Sequence, residues 1–476
     1  MDNLRQKVIS GLRWTAGLRF ASQLITWAMT IIVIRLLDPE DYGLMAMAVL
    51  FLGFLTIFSE ILDIPIIQRK DITDDELKQV FGINLLFNLS LFLVAILGAS
   101  LIAKIFNESR VTYIIQVQSL QLILLALASI PRAMLRREMK FSVLSVSDFV
   151  SSIVGGLVTL TLAYNKFGVW SLVWGTLSLN MCKTVLLWGM SRTIILPKIK
   201  FDKIRDIIHF SRYTALINII WYVFYRADVF VVGKVLGKEI LGIYSVAMQI
   251  ASLPMEKISG ILNQVALPAY SSIQNKPDQI ASHFLKTIRI MARLSFPVIW
   301  GISSISPELV STVLGQKWIM ATVPLQILCL IIPFRMIHNL IASAILGIGK
   351  PEIALYNNLT ALIIMTVGII IGSKWGLFGI CSAWLLVYPI VFYINFSRTA
   401  RKIGISIFSV ILSFIKPLLF SSAMFFVIVV SRYIINLEIS DLYELLMLVG
   451  IGIIVYSALV IIFDRKYYRE VFSLIK

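Results

Sequence analysis

Charged residues are scarce in this chain. Only 14% of its 476 residues are Asp, Glu, Lys or Arg, and acids are the rarer sign, 26 against 43 bases. Cysteine is limited to Cys182, Cys329 and Cys381, each inside an apolar run and none in a CxxC pair. A disulfide framework and a thiolate metal site are therefore excluded. His209, His283 and His338 lie far apart in sequence, which argues against a histidine metal cluster, and no cofactor is expected. Alternating ten-residue strand patterns are missing too, so a membrane β-barrel is excluded.

What fills the chain instead is apolar sequence: 58% of residues are hydrophobic, and the mean hydropathy is +0.88. Runs of roughly 18 or more apolar residues recur, each long enough to cross the ~30 Å hydrocarbon layer as a helix. Only helices then satisfy the backbone. The fold class is an all-α polytopic membrane protein with about fourteen transmembrane helices. The N-terminal apolar run is too long for a signal peptide and reads as a retained first span. Lys and Arg sort between alternate loops. The rich set includes Arg132, Arg136, Arg137 and Lys140, then Lys198, Lys200, Lys203 and Arg205, then Arg398, Arg401 and Lys402. The poor set holds isolated residues such as Arg35, Lys166 and Lys317. The rich side is cytoplasmic by the positive-inside rule, which places both termini inside. The +17 net charge is thereby assigned to anionic lipid headgroups and not to nucleic acid. External loops are short, leaving no room for an extracellular catalytic or receptor domain.

An internal repeat organises the spans. "RLLDPEDYGLMAMA" (35–48) matches "KVLGKEILGIYSVA" (234–247), aligning Glu40 with Glu239 and Gly43 with Gly242. "NKFGVW" (165–170) matches "SKWGLF" (373–378), and "LQLIL" (120–124) resembles "LQILC" (325–329). The repeat holds six spans, an even number, so both copies keep one orientation. Two parallel six-helix bundles result, related by a pseudo-twofold along the membrane normal. The expected domains are 1–195, a basic amphipathic cytoplasmic linker at 196–208, a second bundle at 209–402, and two additional helices at 403–476.

With these features the chain resembles the polysaccharide-exporter branch of the multidrug/oligosaccharidyl-lipid/polysaccharide flippases, the Wzx-type lipid-linked oligosaccharide flippases. The carriers are "LLDPEDYG" and "IPIIQRKDIT" (64–73), "LRREMKF" (135–141), "GVWSLVWG" (168–175), "RADVFVVGKVLGKEILGIYSVA" (226–247) and "LVSTVLGQKWIMATVPLQIL" (309–328). The resemblance implies alternating access in a bacterial cytoplasmic (inner) membrane. It implies that an undecaprenyl-diphosphate-linked oligosaccharide moves from inner to outer leaflet, with polysaccharide polymerase machinery as a further partner. In related lipid II flippases two extra C-terminal spans help form a groove for the lipid tail.

Ionisable residues inside spans cost several kcal/mol each, so each needs a reason. Arg19, with Gln23 one turn later on the same face, suits a cavity-facing grip on diphosphate or acidic sugar; snorkelling to inner headgroups is its other reading. Arg226 and Asp228 are two apart and cannot face each other on one helix, so each meets a partner elsewhere: cargo, or a salt bridge holding one conformational state. Arg293, Arg335 and Lys183 lie toward cytoplasmic span ends and together form a basic vestibule, or snorkel singly. Asp148 is the ion-coupling candidate, or a static partner of Lys183 or Arg19.

Two other functions compete. A drug or cation exporter of the same superfamily would rely on acidic cavity residues, whereas these span interiors lean basic. A membrane glycosyltransferase or polymerase would use the acids of "LDPEDYG", Asp38 and Asp41, on a donor. The grammar of a helix start accounts for them better: Asp38 as N-cap, Pro39 at N1, and Glu40 and Asp41 in a first turn where the helix dipole favours negative charge.

Overall fold

The computed structural model describes residues 23, 25–61, 73–138, 140–191, 195–199, 204–272, 277–434 and 440–464. No strand occurs among them. The helices are α1 (Ile25–Leu36), α2 (Pro39–Ile61), α3 (Asp74–Phe106), α4 (Arg110–Arg137), α5 (Phe141–Tyr164) and α6 (Val169–Ser191). A continuous helical stretch, Ile204–Ser272, breaks at Gly237, where φ is 83°, and gives α7 (204–236) and α8 (238–272). A left-handed φ of this kind costs glycine nothing, and it lets the chain turn between two spans without a loop. Then come α9 (Pro277–Ser304), α10 (Thr322–Gly347), α11 (Pro351–Gly372), α12 (Gly376–Ile403), α13 (Ile407–Ile434) and α14 (Asp441–Phe463). Among the described residues nine helical stretches are long and apolar enough to cross a membrane. Two of these, Leu216–Met255 at 40 residues and Pro351–Ile403 at 53, exceed one crossing.

Local sequence explains the boundaries. Thr73 and Glu76 form a capping box at the start of α3, the Thr73 hydroxyl accepting the Glu76 N–H and the Glu76 carboxylate accepting the Thr73 N–H. Helix α2 begins at Pro39 as expected, and Asp41 accepts the Asp38 N–H at 3.2 Å. Where the linker was expected, residues 195–199 are non-helical, and Lys198 joins Asp75 of α3 at 2.6 Å.

The chain forms two compact units, Met1–Gly242 and Ile243–Lys476. In the first, α5 and α6 pair closely; in the second, their repeat counterparts α11 and α12 do the same. Each pair crosses at glycines, Gly155 with Gly175 and Gly372 with Gly379, where added Cβ atoms would strike the facing backbone or side chains. Small residues at crossings let backbones approach, and that supplies packing in lipid, where no hydrophobic drive exists between helices.

In the second unit, α13 and α14 pack on α9, and an ion pair closes each end of the stack. Arg293 of α9 meets Asp464, just past α14, at 2.8 Å. At the opposite end α9 bends by 71° into the segment Ser306–Leu314, and Glu308 there takes Arg432 of α13, Nη2 to Oε2 at 2.7 Å. Arg432 also donates to the Ser304 carbonyl. Between these ends lies an apolar cavity of about 390 Å³ lined by Pro297, Gly301, Met424, Ile428, Gly452 and Tyr456. Removing one partner from a buried pair leaves an uncompensated charge and costs roughly 3 kcal/mol. Arg432→Glu is therefore expected to lower the unfolding midpoint of the detergent-solubilised protein, and the swapped pair Glu308→Arg/Arg432→Glu to recover most of it. Equal midpoints for the single and swapped variants would show that the pair does not hold α13.

Candidate functional site

In the first unit the two copies of the repeated motif touch. The offset of 199 residues maps Pro39 onto Lys238 and Gly43 onto Gly242. A Cβ at Gly43 would land on the Lys238 carbonyl oxygen, and one at Gly242 on the Pro39 carbonyl oxygen. The contact is thus reciprocal, position for position, as an isologous twofold contact must be. Charges seal its rim. Lys238 lies 2.9 Å from Glu40 and 2.6 Å from Glu108, and Arg110 pairs with both acids. Arg110 first, with Lys238 beside it, holds the Glu108 carboxyl far below its usual value, at about 2, so it is charged at neutral pH. Asp41 accepts the N–H groups of Asp38 and Val169, tying α2 to the start of α6. Both Glu40 and Asp41 are therefore occupied by cations or backbone donors. No group of His, Cys, Asp and Glu that could hold a metal occurs among the described residues.

The intramembrane charges fall into distinct environments. Arg19 lies outside the described residues, and Gln23 is half-buried at the near end of α1. Lys183 pairs with Asp148 at 2.7 Å, with the carboxylate more than half exposed; Lys183 was one of the two partners the sequence offered. Arg226 is half-buried on α7, with its guanidinium 5.5 Å from the Tyr225 ring centre and beside the Tyr222 hydroxyl. Tyr222 in turn donates to the Leu50 carbonyl of α2 at 2.9 Å. The Arg226 Nε–H is buried and has no hydrogen-bond partner among the described residues. Asp228 is buried, and its carboxylate accepts the Val229 N–H. In the second unit Arg335 is buried with its guanidinium 4.3 Å over the Trp384 ring, and Trp384 donates to the Tyr244 hydroxyl at 3.0 Å. Arg293 is engaged by Asp464, as described above.

A family model described as "Polysaccharide biosynthesis protein" matches residues 32–323. The chain belongs to that family. It is a polysaccharide flippase of the multidrug/oligosaccharidyl-lipid/polysaccharide superfamily, a transporter and not an enzyme. It is 27% identical over its whole length to an uncharacterised membrane protein of the cps region of Klebsiella pneumoniae, covering 99% of that protein. It is 24% identical to the lipopolysaccharide biosynthesis protein WzxC of Escherichia coli, over 81% of this chain and 79% of that one. Among solved structures, the lipid II flippase MurJ in an inward closed conformation superposes with a TM-score of 0.76 at 18% identity, covering 96% of this chain and 99% of that one. That likeness shows the fold.

Sequence reasoning overlooked several groups of this flippase. Glu308, Arg432 and Asp464 carry the end clamps, and their signal was a charge at a span end with no local partner. Tyr388, Asn395 and Asn357 form a polar stripe on α12 and α11 that faces His338 of α10. The signal there was polar residues at helical spacing within apolar helices, at 388, 395 and 399.

Proposed function

We propose that this flippase carries an undecaprenyl-diphosphate-linked oligosaccharide from the inner to the outer leaflet of the bacterial cytoplasmic membrane by alternating access, with both termini inside. The observation that carries the reading is the Arg226 guanidinium. It sits inside a span, half-buried, and keeps a donor without a partner among the described residues. A planar five-donor cation in that condition suits an oxyanion, and diphosphate or an acidic sugar supplies one. Arg19, Gln23 and Asp228 of the first unit belong to its cargo path in this reading, and Arg335 of the second unit is a cargo cation in its own unit. Lys183 exchanges Asp148 for the arriving diphosphate, because the pair is exposed enough to part. The Gly43–Gly242 contact closes the outer end while cargo loads from inside. Arg293 works through the clamp, fixing the cavity between α9, α13 and α14 that takes part of the prenyl tail. A cation exporter would need acids where these spans present bases.

Depletion of the protein, followed by mass spectrometry of extracted lipids, tests the cargo class. A diphosphate-linked oligosaccharide is expected to accumulate. Unchanged lipid-linked glycan together with impaired efflux of organic cations would overturn the reading.

A further inference from the structure

His338 of α10 has both ring nitrogens engaged within the second unit. Nδ1 lies 2.6 Å from the Tyr388 hydroxyl, and Nε2 lies 3.1 Å from Nδ2 of Asn395, both partners on α12. The same Asn395 amide nitrogen donates to the Asn357 carbonyl of α11 at 3.1 Å. Asn357 in turn accepts from Arg398 at 2.8 Å through its side-chain oxygen and donates to Thr399 at 3.3 Å. One row of hydrogen bonds thus joins α10, α12 and α11.

The network assigns the tautomer. The Asn357 carbonyl fixes the Asn395 amide with its nitrogen inward, because the flipped amide would set oxygen against oxygen. Nε2 of His338 therefore accepts, and the ring proton resides on Nδ1 and goes to Tyr388. The Asn395 side-chain oxygen is left buried and without a partner among the described residues. A buried acceptor in that state is costly and marks a place where a donor is owed.

Adding a proton to Nε2 breaks this arrangement. With the amide as it stands, an N–H faces an N–H. With the amide flipped, the vacant oxygen takes the new proton but collides electrostatically with the Asn357 carbonyl. Neither orientation satisfies both neighbours, so the row holds only while the imidazole is neutral. The charged and titratable groups around it are Arg335 on α10, Tyr388 and Arg398 on α12, and Tyr244 on α8 through Trp384. α9 and α13 contribute Phe296 and Phe414, packed on Phe334 and Phe392 beside the ring. No carboxylate among the described residues balances a charged imidazole. We infer that His338 is a proton-binding site, and that its protonation releases α11 from α12 and so couples a proton to the conformational cycle.

The test uses the full-length protein in nanodiscs and needs no glycan, so its outcome is independent of the cargo assigned above. Hydrogen–deuterium exchange of α11 peptides is followed from about pH 8 to about pH 4, a range that spans ordinary histidine titration. Wild type is compared at each pH with His338→Gln, which cancels the intrinsic pH dependence of exchange. The two are expected to match at the alkaline end, which also shows that the variant folds. At the acid end wild type should exchange roughly tenfold faster in α11. Asn395→Asp supplies an acceptor to Nε2 and no donor to Asn357, so it should show the fast exchange already at the alkaline end. Matching wild-type and His338→Gln profiles at every pH, or neutral-pH protection retained in Asn395→Asp, would overturn the inference.

Discussion

Gly242→Leu is expected to abolish glycan export and to open the outer end of the first unit. Its Cβ would already strike the Pro39 carbonyl, and the remaining side chain has the backbone around Gly43 in its path. Overpacking a tight contact costs about 1–3 kcal/mol where neighbours can yield, and here the obstacle is backbone. A penalty of about 3 kcal/mol on the closed state shifts the equilibrium by more than roughly 100-fold. The reporter is a cysteine at Leu44, which is fully buried, in a Cys182→Ser background because the other native thiols, Cys329 and Cys381, are buried. Membrane-impermeant maleimide applied from outside should label the Gly242→Leu protein and spare its Gly242 parent. Gly43→Leu should reproduce the result, since the contact is reciprocal. A Leu44 cysteine that stays protected in both variants, alongside normal export, would remove the contact from the transport cycle.

Arg226→Ala is expected to insert normally and to lose export. A charge-assisted hydrogen bond to an oxyanion is worth about 1.5–3 kcal/mol, or roughly 10- to 100-fold in cargo affinity. Lysine at the same position keeps the charge and loses the planar fork, so Arg226→Lys should fall between. The measurement is surface glycan at matched protein level, with lipid-linked intermediate quantified from the same cells. Arg293→Ala serves as contrast: its guanidinium already holds Asp464, so its loss should lower the unfolding midpoint, which Arg226→Ala leaves unchanged. Wild-type export by Arg226→Ala would take the guanidinium out of the cargo path.

The acid cluster of "LDPEDYG" shows how far local sequence reaches. Its helix-start grammar was legible, because capping and the helix dipole act within one turn: α2 begins at Pro39 and Asp41 accepts the Asp38 N–H. Its larger task was not legible. Glu40 reaches Arg110 and Lys238, 70 and 198 positions away, and only the packing of α2 against the Gly237 break brings them together. The repeat pointed to Gly43 and Gly242 as equivalent positions. That equivalent positions would also touch follows from how α2 packs against the start of α8, which an alignment does not contain.

The charges divide in the same way. Hydropathy is a local property read at 1.5 Å per residue, so the sequence by itself determined the helical membrane class, the repeat, and which residues are charged within spans. It also determined that each such charge needs a reason, because burial of an ion in lipid is expensive wherever it occurs. What satisfies each charge was decided by tertiary structure alone. Arg293, one of the cations near cytoplasmic span ends, faces Asp464, 171 residues away, while the Arg226 Nε–H has no partner among the described residues. Such pairings depend on the rotation and depth of helices distant in sequence. Packing sets those quantities, and no window along the chain encodes them.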